Sequence, residues 1–381
     1  MNDTRIASKA KAQLANFMDK AFAHFPKPLK KFVEECIYGI QASGDTKLSS
    51  IVRAIDDDTR PIYTEKRLSR NLDDETLESS VAQAVLKYGA RSVRGDTLLL
   101  VDPTEIRKEF SYKMEFVARV RDASRSSKEG RDVLVNGYHG CMVAACRPGG
   151  RKTMPLALKL WSSRSPGFKG ENDEVLKIVK AVYAATGGKG TFKSQWRIVE
   201  AYLSRWRIEE TIRFVKQSYG FENIRVMTYA RIRNMASLVL ASAYFTTAWI
   251  GRSIKREVLA EHLARLGKRL GEVPEFAAYA IADGIRRAFT RFGKWVRTTT
   301  DAIAKAHDPP AIQLLPGFAS SSTSTTDSRF GRETPKTTSR NALQPLSMRV
   351  RRIPSLKKWV NSSTREIRRK RGASVFFTHA V

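Results

Sequence analysis

The stretch from Tyr202 to Lys216 reads YLSRWRIEETIRFVK and sets Tyr202, Arg205, Glu209 and Lys216 in the spacing Y-x2-R-x3-E-x6-K. Wound as an α-helix at roughly 100° per residue, these four fall within a sector of about 60° and share one face. Beside them, at roughly 220° to 280° on the same wheel, run Ala201, Ile208, Ile212, Val215 and Tyr219, an apolar stripe suited to packing on a sheet. Glu209 is then expected at the margin of a buried contact, next to two cations and a phenol. Such a setting suits a carboxylate that holds a metal ion while its neighbours grip phosphate oxygens. An amphipathic surface helix, with Arg205 and Glu209 as an i to i+4 pair, accounts for the same residues more plainly. Chance alone produces the four-residue pattern in about one chain in a few hundred of this composition.

Outward from this helix, which is expected to run from about Ser194 to a stop at Gly220, the upstream sequence has the texture of strands. From Gly95 come TLLLVD (97–102), KMEFVARV (113–120), VNGYHGCMVAA (135–145), a Pro-Gly-Gly turn at 147–150, and TMPLALKLWS (153–162). The first, a short apolar run, is of the kind that occupies the middle of a sheet, with Asp102 at its end. ENDEVLKIVKAVYAA (171–185) follows, with Glu171, Asp173 and Glu174 in its first turn and Gly187 and Gly188 behind it, the ends expected of a helix. Strands followed by such a helix predict an α/β domain.

The N-terminal part reads as helical, in AKAQLANFMDKAFAHF (10–25), KKFVEECIYGIQA (30–42), KLSSIVRAI (47–55), TEKRLSRNL (64–72) and ETLESSVAQAVLKYG (75–89). The third and fourth of these could form a helix-turn-helix that turns Lys66, Arg67 and Arg70 to a groove, and a plain bundle with a charged exterior fits equally. Helical sequence resumes through Ala243 and again to about Trp295. The expected divisions are a helical domain over 1–92, an α/β core over 93–250, a helical region over 251–310 and a tail over 311–381. That tail opens in Ser and Thr and holds 14 Lys and Arg against 3 acids, a net of 14 − 3 = +11, so it is expected to be a disordered basic segment.

Over all 381 residues Lys and Arg number 68 against 38 acids, a formal +30 that points to a polyanionic partner, nucleic acid first. No run reaches the roughly 18 apolar residues of a membrane span. The nearest, MASLVLASAYFTTAWI (235–250), carries Ser237, Ser242, Thr246 and Thr247 and reads as a buried core helix. The N-terminus lacks the apolar centre of a secretory signal, so a cytoplasmic protein is expected. Cys36, Cys141 and Cys146 have no partner pattern for a disulfide framework or a zinc site and read as buried thiols.

The Tyr202, Arg205, Glu209, Lys216 pattern resembles the Tyr-Arg-Glu-Lys signature of DDE transposases of the insertion-sequence-four type. The surrounding RWRIEETIRFVKQSYGFENIRV (205–226) and RIRNMASLVLASAYF (231–245) are similar to the run that follows that signature. LLLVDPTEIRKEF (98–110), with the later KMEFVARVRD and VNGYHG, resembles the region around that family's first catalytic aspartate, which maps onto Asp102. The resemblance covers most of residues 35–310. It implies a ribonuclease-H-like core, Mg2+ or Mn2+ as cofactor, and a homodimer that binds double-stranded DNA at the terminal inverted repeats of a mobile element. By the same resemblance Asp102 and Glu209 are catalytic metal ligands, and Tyr202, Arg205 and Lys216 contact DNA.

The family's chemistry uses three acids, because two divalent ions must be held while water and then a freed 3′ hydroxyl attack phosphorus in line. In the family the second aspartate ends a strand that follows the helix and glycine turn, and a β-rich insertion comes next. Here only TFKSQ (191–195) separates Gly190 from Trp196. Of the acids between Asp102 and Glu209, Asp173 is explained by helix N-terminal electrostatics and Asp132 by a turn before a strand. An internal deletion that removed the second aspartate is therefore expected, leaving a truncated core, an exposed sheet edge and impaired catalysis. A non-catalytic DNA-binding relic, or an inhibitor of an intact transposase, is the alternative, and a basic RNA-associated helical protein is a third reading that leaves the signature helix unexplained.

Overall fold

A computed structural model describes residues 3–147, 152–190, 206–250, 254–267 and 277–291, all within one compact unit. The expected tail over 311–381 lies outside the described residues, as does a second unit over Thr298–Arg371.

Five helices open the chain: α1 (Asp3–Ala21), α2 (Lys27–Ser43), α3 (Leu48–Ile55), α4 (Pro61–Asn71) and α5 (Leu77–Ala90). On α1, Ile6, Ala10, Leu14, Phe17, Met18 and Ala21 recur at helical spacing and all are buried, so hydrophobic periodicity fixes its inward face. Prolines start α2 and α4, where a missing N–H costs nothing. Gly44 stops α2 in the left-handed conformation at φ 66°. Arg67 does not look outward from α4 to a groove, as the helix-turn-helix reading had it. Its guanidinium donates to the buried Glu35 carboxylate at 2.6 Å and lies 3.8 Å from Asp57, while Lys66 and Arg70 remain exposed.

The sheet has four antiparallel strands, β1 (Leu98–Arg107), β2 (Ala118–Arg121), β3 (Leu134–Cys146) and β4 (Thr153–Trp161). β3 pairs with β1 along one side, from Leu98 opposite Cys146 to Arg107 opposite Gly137, and with β2 and β4 along the other. Two expectations change here. β1 does not end at Asp102, and among the described residues it lies at the sheet's edge, not its middle. Pro103 agrees with that position, since it has no N–H to offer a second neighbour. Of KMEFVARV only the last part is strand: Phe116 sits at φ 52°, a conformation that interrupts a ladder. The chain between β2 and β3 instead forms α6 (Ala123–Glu129), capped by the Asp122 carboxylate, which accepts from the Arg125 N–H at 3.1 Å.

Helices cover both faces of the sheet. On one, Val101, Cys141, Val143, Ala157 and Trp161 pack with Val175, Ile178 and Val182 of α7 (Glu171–Thr186). On the other, Leu98, Leu100, Ile106, Tyr138, Met142 and Leu158 meet α8 (Trp206–Ser218) and α9 (Tyr229–Tyr244). A π turn (Phe245–Trp249) continues α9, and α10 (Ile254–Leu266) and α11 (Ala278–Arg291) close the described chain. The segment 235–250 is the buried core helix that its apolar run and hydroxyls predict. No described helix is long and apolar enough to cross a membrane.

The expected boundaries near 92 and 250 are crossed by packing. One apolar cluster runs from Ile6 on α1 to Phe289 on α11 and takes in α2, the sheet, α8 and α9. Buried polar groups cross in the same way: Gln41 of α2 donates to Thr246 at 3.0 Å and to the Ser242 carbonyl at 2.9 Å, and Tyr219 bonds the same Thr246 at 2.7 Å. Cys36, Cys141 and Cys146 are free and buried, as expected, and burial raises each thiol above its usual range.

Candidate functional site

Strand alternation decides where Asp102 looks. Leu98, Leu100, Asp102, Thr104 and Ile106 share one face of β1, and the register sets Asp102 opposite Met142, a residue of the main core. Asp102 is thus a half-buried carboxylate on the face that α8 covers. The Cys141 thiol is pushed up to about 12, first by burial and then by the charge of Asp102.

Helix α8 carries the remaining described residues of the signature. Ile208, Ile212, Val215 and, beyond the helix end, Tyr219 are buried as the apolar stripe predicts, and Thr211, Phe214 and Ser218 widen it. Glu209 stands exposed at its margin. The direction of α8 along the sheet follows from its two ends. Near its start, Arg207 hydrogen-bonds the side chain of Cys146, whose strand partner is Leu98 at the beginning of β1. Near its end, Lys216 lies 4.0 Å from Glu105. The helix therefore runs alongside β1 in the same direction, and Asp102 falls between those two anchor points. Asp102 lies on the sheet face that α8 covers, Glu209 and Lys216 lie along one edge of that helix, and Tyr202 and Arg205 lie outside the described residues.

Lys216 is already matched by acids, Glu105 at 4.0 Å and Glu222 at 3.7 Å. Glu222 in turn accepts both arms of the Arg107 guanidinium at 3.2 and 3.1 Å, and Arg107 reaches Asp122 at 3.1 Å. Burial alone would raise the Asp122 carboxyl, but the Arg125 N–H and the Arg107 guanidinium outweigh it and hold it below the usual range. Lys108 donates to the carbonyl oxygens of Glu222 and Ile224 at 2.5 and 2.7 Å, and burial pulls its ammonium down to about 8. Sequence reasoning missed this network. Its one signal is the basic pair Arg107 and Lys108 at the end of the strand that begins with TLLLVD.

Metal chemistry needs more than charge. Among the described residues no group of three or more His, Cys, Asp or Glu side chains is placed to hold a metal ion. Asp102 and Glu209 are two carboxylates, and two do not satisfy a pair of bridging divalent ions. The described residues thus do not fit a two-ion centre, and no catalytic step is derived through one.

The order of strands and helices, with a four-stranded antiparallel sheet covered by helices, defines a mixed α/β class. A family model described as Transposase DDE domain matches residues 17–245, from α1 to the start of the π turn. That match spans more than half of the chain, and the chain belongs to this family of DDE transposases. Among curated proteins, none matches it.

Proposed function

We propose that the chain is a DNA-binding transposase of the insertion-sequence-four type whose own strand-cutting activity is lost through an internal deletion. In this reading the core is ribonuclease-H-like, over about residues 93–250, and a homodimer engages the terminal inverted repeats of its element on double-stranded DNA. Asp102 and Glu209 are the surviving acids of the metal site, and Tyr202, Arg205 and Lys216 hold the phosphates of the transposon end. Mg2+ or Mn2+ is the cofactor of the intact relative.

The observation that carries the reading is the course of the chain behind α7. Gly187 ends that helix at φ 61°, and the chain reaches Gly190 at φ 98° against the start of β1, where an added Cβ would stand 3.1 Å from Leu99 and 3.2 Å from the Thr97 carbonyl oxygen. The chain thus arrives beside β1, which among the described residues has a strand neighbour on one side only. This is where the family's second-aspartate strand would be sought, and only Thr191–Gln195 precede Trp196 in the sequence.

To test it, purified protein is incubated with end-bearing duplex DNA and Mg2+ or Mn2+. The expected result is salt-sensitive binding that prefers the terminal repeat, with no strand cleavage. Cleavage that disappears in Asp102→Ala would overturn the loss of activity, and binding with no preference over random DNA would count against a role at transposon ends. A chain that binds ends without cutting them acts as a competitor of any intact relative.

A further inference from the structure

Two basic clefts differ in how their charges are met. The larger, about 1010 Å³, is lined by Arg107, Lys108 and Arg125 among others. Arg107 is matched there by Glu222 and Asp122, and Arg125 by Glu109. The smaller, about 570 Å³, opens between the end of α5, the ends of β3 and β4 and the π turn behind α9, and Arg91, Arg94, Arg147 and Lys152 converge on it against one carboxylate, Glu257. Glu257 is taken by Lys152 at 2.7 Å. Among the described residues no carboxylate lies within ion-pair reach of Arg91, Arg94 or Arg147, and Arg91 rests over the Tyr88 ring at 5.4 Å.

Three exposed arginines lining one concavity gather positive charge that an entering anion relieves, and planar guanidinium forks are suited to phosphate oxygens. The floor adds a second sign. The Thr153 hydroxyl is buried and has no hydrogen-bond partner among the described residues, an unmet polar group of the kind an oxyanion can satisfy. The wall adds a third, since Cys146 lines this cleft and is also the residue that Arg207 of α8 reaches. The cleft therefore adjoins the start of α8.

We propose that this cleft is a phosphate-binding site which seats a backbone phosphate of DNA through Arg91, Arg94 and Arg147. The proposal rests on the DNA-binding reading above and deepens it, by giving the duplex a second anchor beside the start of α8. Affinity here is independent of base sequence, because phosphates position a duplex without reading it.

The test uses the full chain. Arg91→Ala, Arg94→Ala and Arg147→Ala are combined in one variant, and Lys20→Ala, Lys27→Ala and Lys128→Ala in a charge-matched control on other exposed surfaces. Binding to a labelled DNA duplex is followed by anisotropy across a salt series. The arginine variant is expected to lose about tenfold or more in affinity and to flatten the log-log salt slope by about 1, since each phosphate contact contributes about 0.9. The lysine control is expected to change affinity less than about threefold. Equal behaviour of the two variants, with the parent still binding DNA, would overturn the site and leave the DNA-binding reading standing. In a second arm, inorganic phosphate against chloride at equal ionic strength is expected to raise the Tm of the parent and not of the arginine variant. Phosphate protection in a parent that binds no DNA overturns the backbone assignment together with the DNA-binding reading. Absence of both effects overturns the site altogether.

Discussion

Asn234 on α9 donates from Nδ2 to the Leu72 carbonyl oxygen at 2.8 Å, and so ties the turn before α5 to the central helix of the molecule. The same amide donates to the Asp74 carbonyl at 2.7 Å and accepts the Glu78 N–H at 2.8 Å, so one buried side chain satisfies three backbone groups. Asn234→Ala strands all three. It is expected to lower the free energy of unfolding by about 2 to 4 kcal/mol, measured by denaturant titration, whereas a loss below about 1 kcal/mol would show that water replaces the amide.

Arg67 serves the fold. Its partner Glu35 is buried on α2, and Lys31 at 3.7 Å gives only partial compensation. Arg67→Ala is expected to cost about 1 to 3 kcal/mol of stability and to leave the salt slope of DNA binding unchanged, because a phosphate contact is not what it supplies. A flattened slope without loss of stability would return Arg67 to the groove.

Lys108 gives stability a pH signature. Burial lowers its folded value to about 8 against an ordinary 10.5. Below pH 8 both states carry the proton and the buried ammonium imposes a constant cost. Between about 8 and 10 the unfolded chain keeps a proton that the folded one has released, so stability rises with pH, by at most about 3 kcal/mol. Lys108→Met is expected to remove that rise from unfolding curves taken across this window, and an unchanged pH profile would assign it elsewhere.

Gly284 marks the closest approach of α10 and α11. A Cβ at this position would stand 1.7 Å from the Leu263 carbonyl oxygen and 2.4 Å from its carbon, a clash with backbone that no rotamer relieves. Gly284→Ala is expected to separate the two helices and cost about 3 kcal/mol or more, with Tm as the measurement.

Much of this architecture is written in local periodicity. The stripe Ile208, Ile212, Val215 and Tyr219 is buried where the helical wheel puts it, and α7 has the acids and glycines that mark its ends. The place of β1 in the sheet was less legible. TLLLV is covered by α8 on one face and by α7 on the other, so its burial reads alike at a centre or at an edge. Pro103 was the residue that could have told them apart. α6 was legible in principle from the Asp122 cap and Gly130 at φ 65°, but a short polar helix has no apolar rhythm to announce it. Arg67 and Lys216 were read as outward cations because Glu35, Glu105 and Glu222 come from distant parts of the chain, and spacing along one helix carries no record of such partners.

An apolar interior shared by the first and last described helices has a consequence for how this chain can be taken apart. A cut near residue 92 would not release a free-standing reader of DNA. It would bare Phe17, Phe22, Ile37 and Tyr38 on one fragment and Tyr244, Trp249 and Phe289 on the other. Neither half keeps a closed core, so for this molecule severing the chain there and losing the fold amount to the same event.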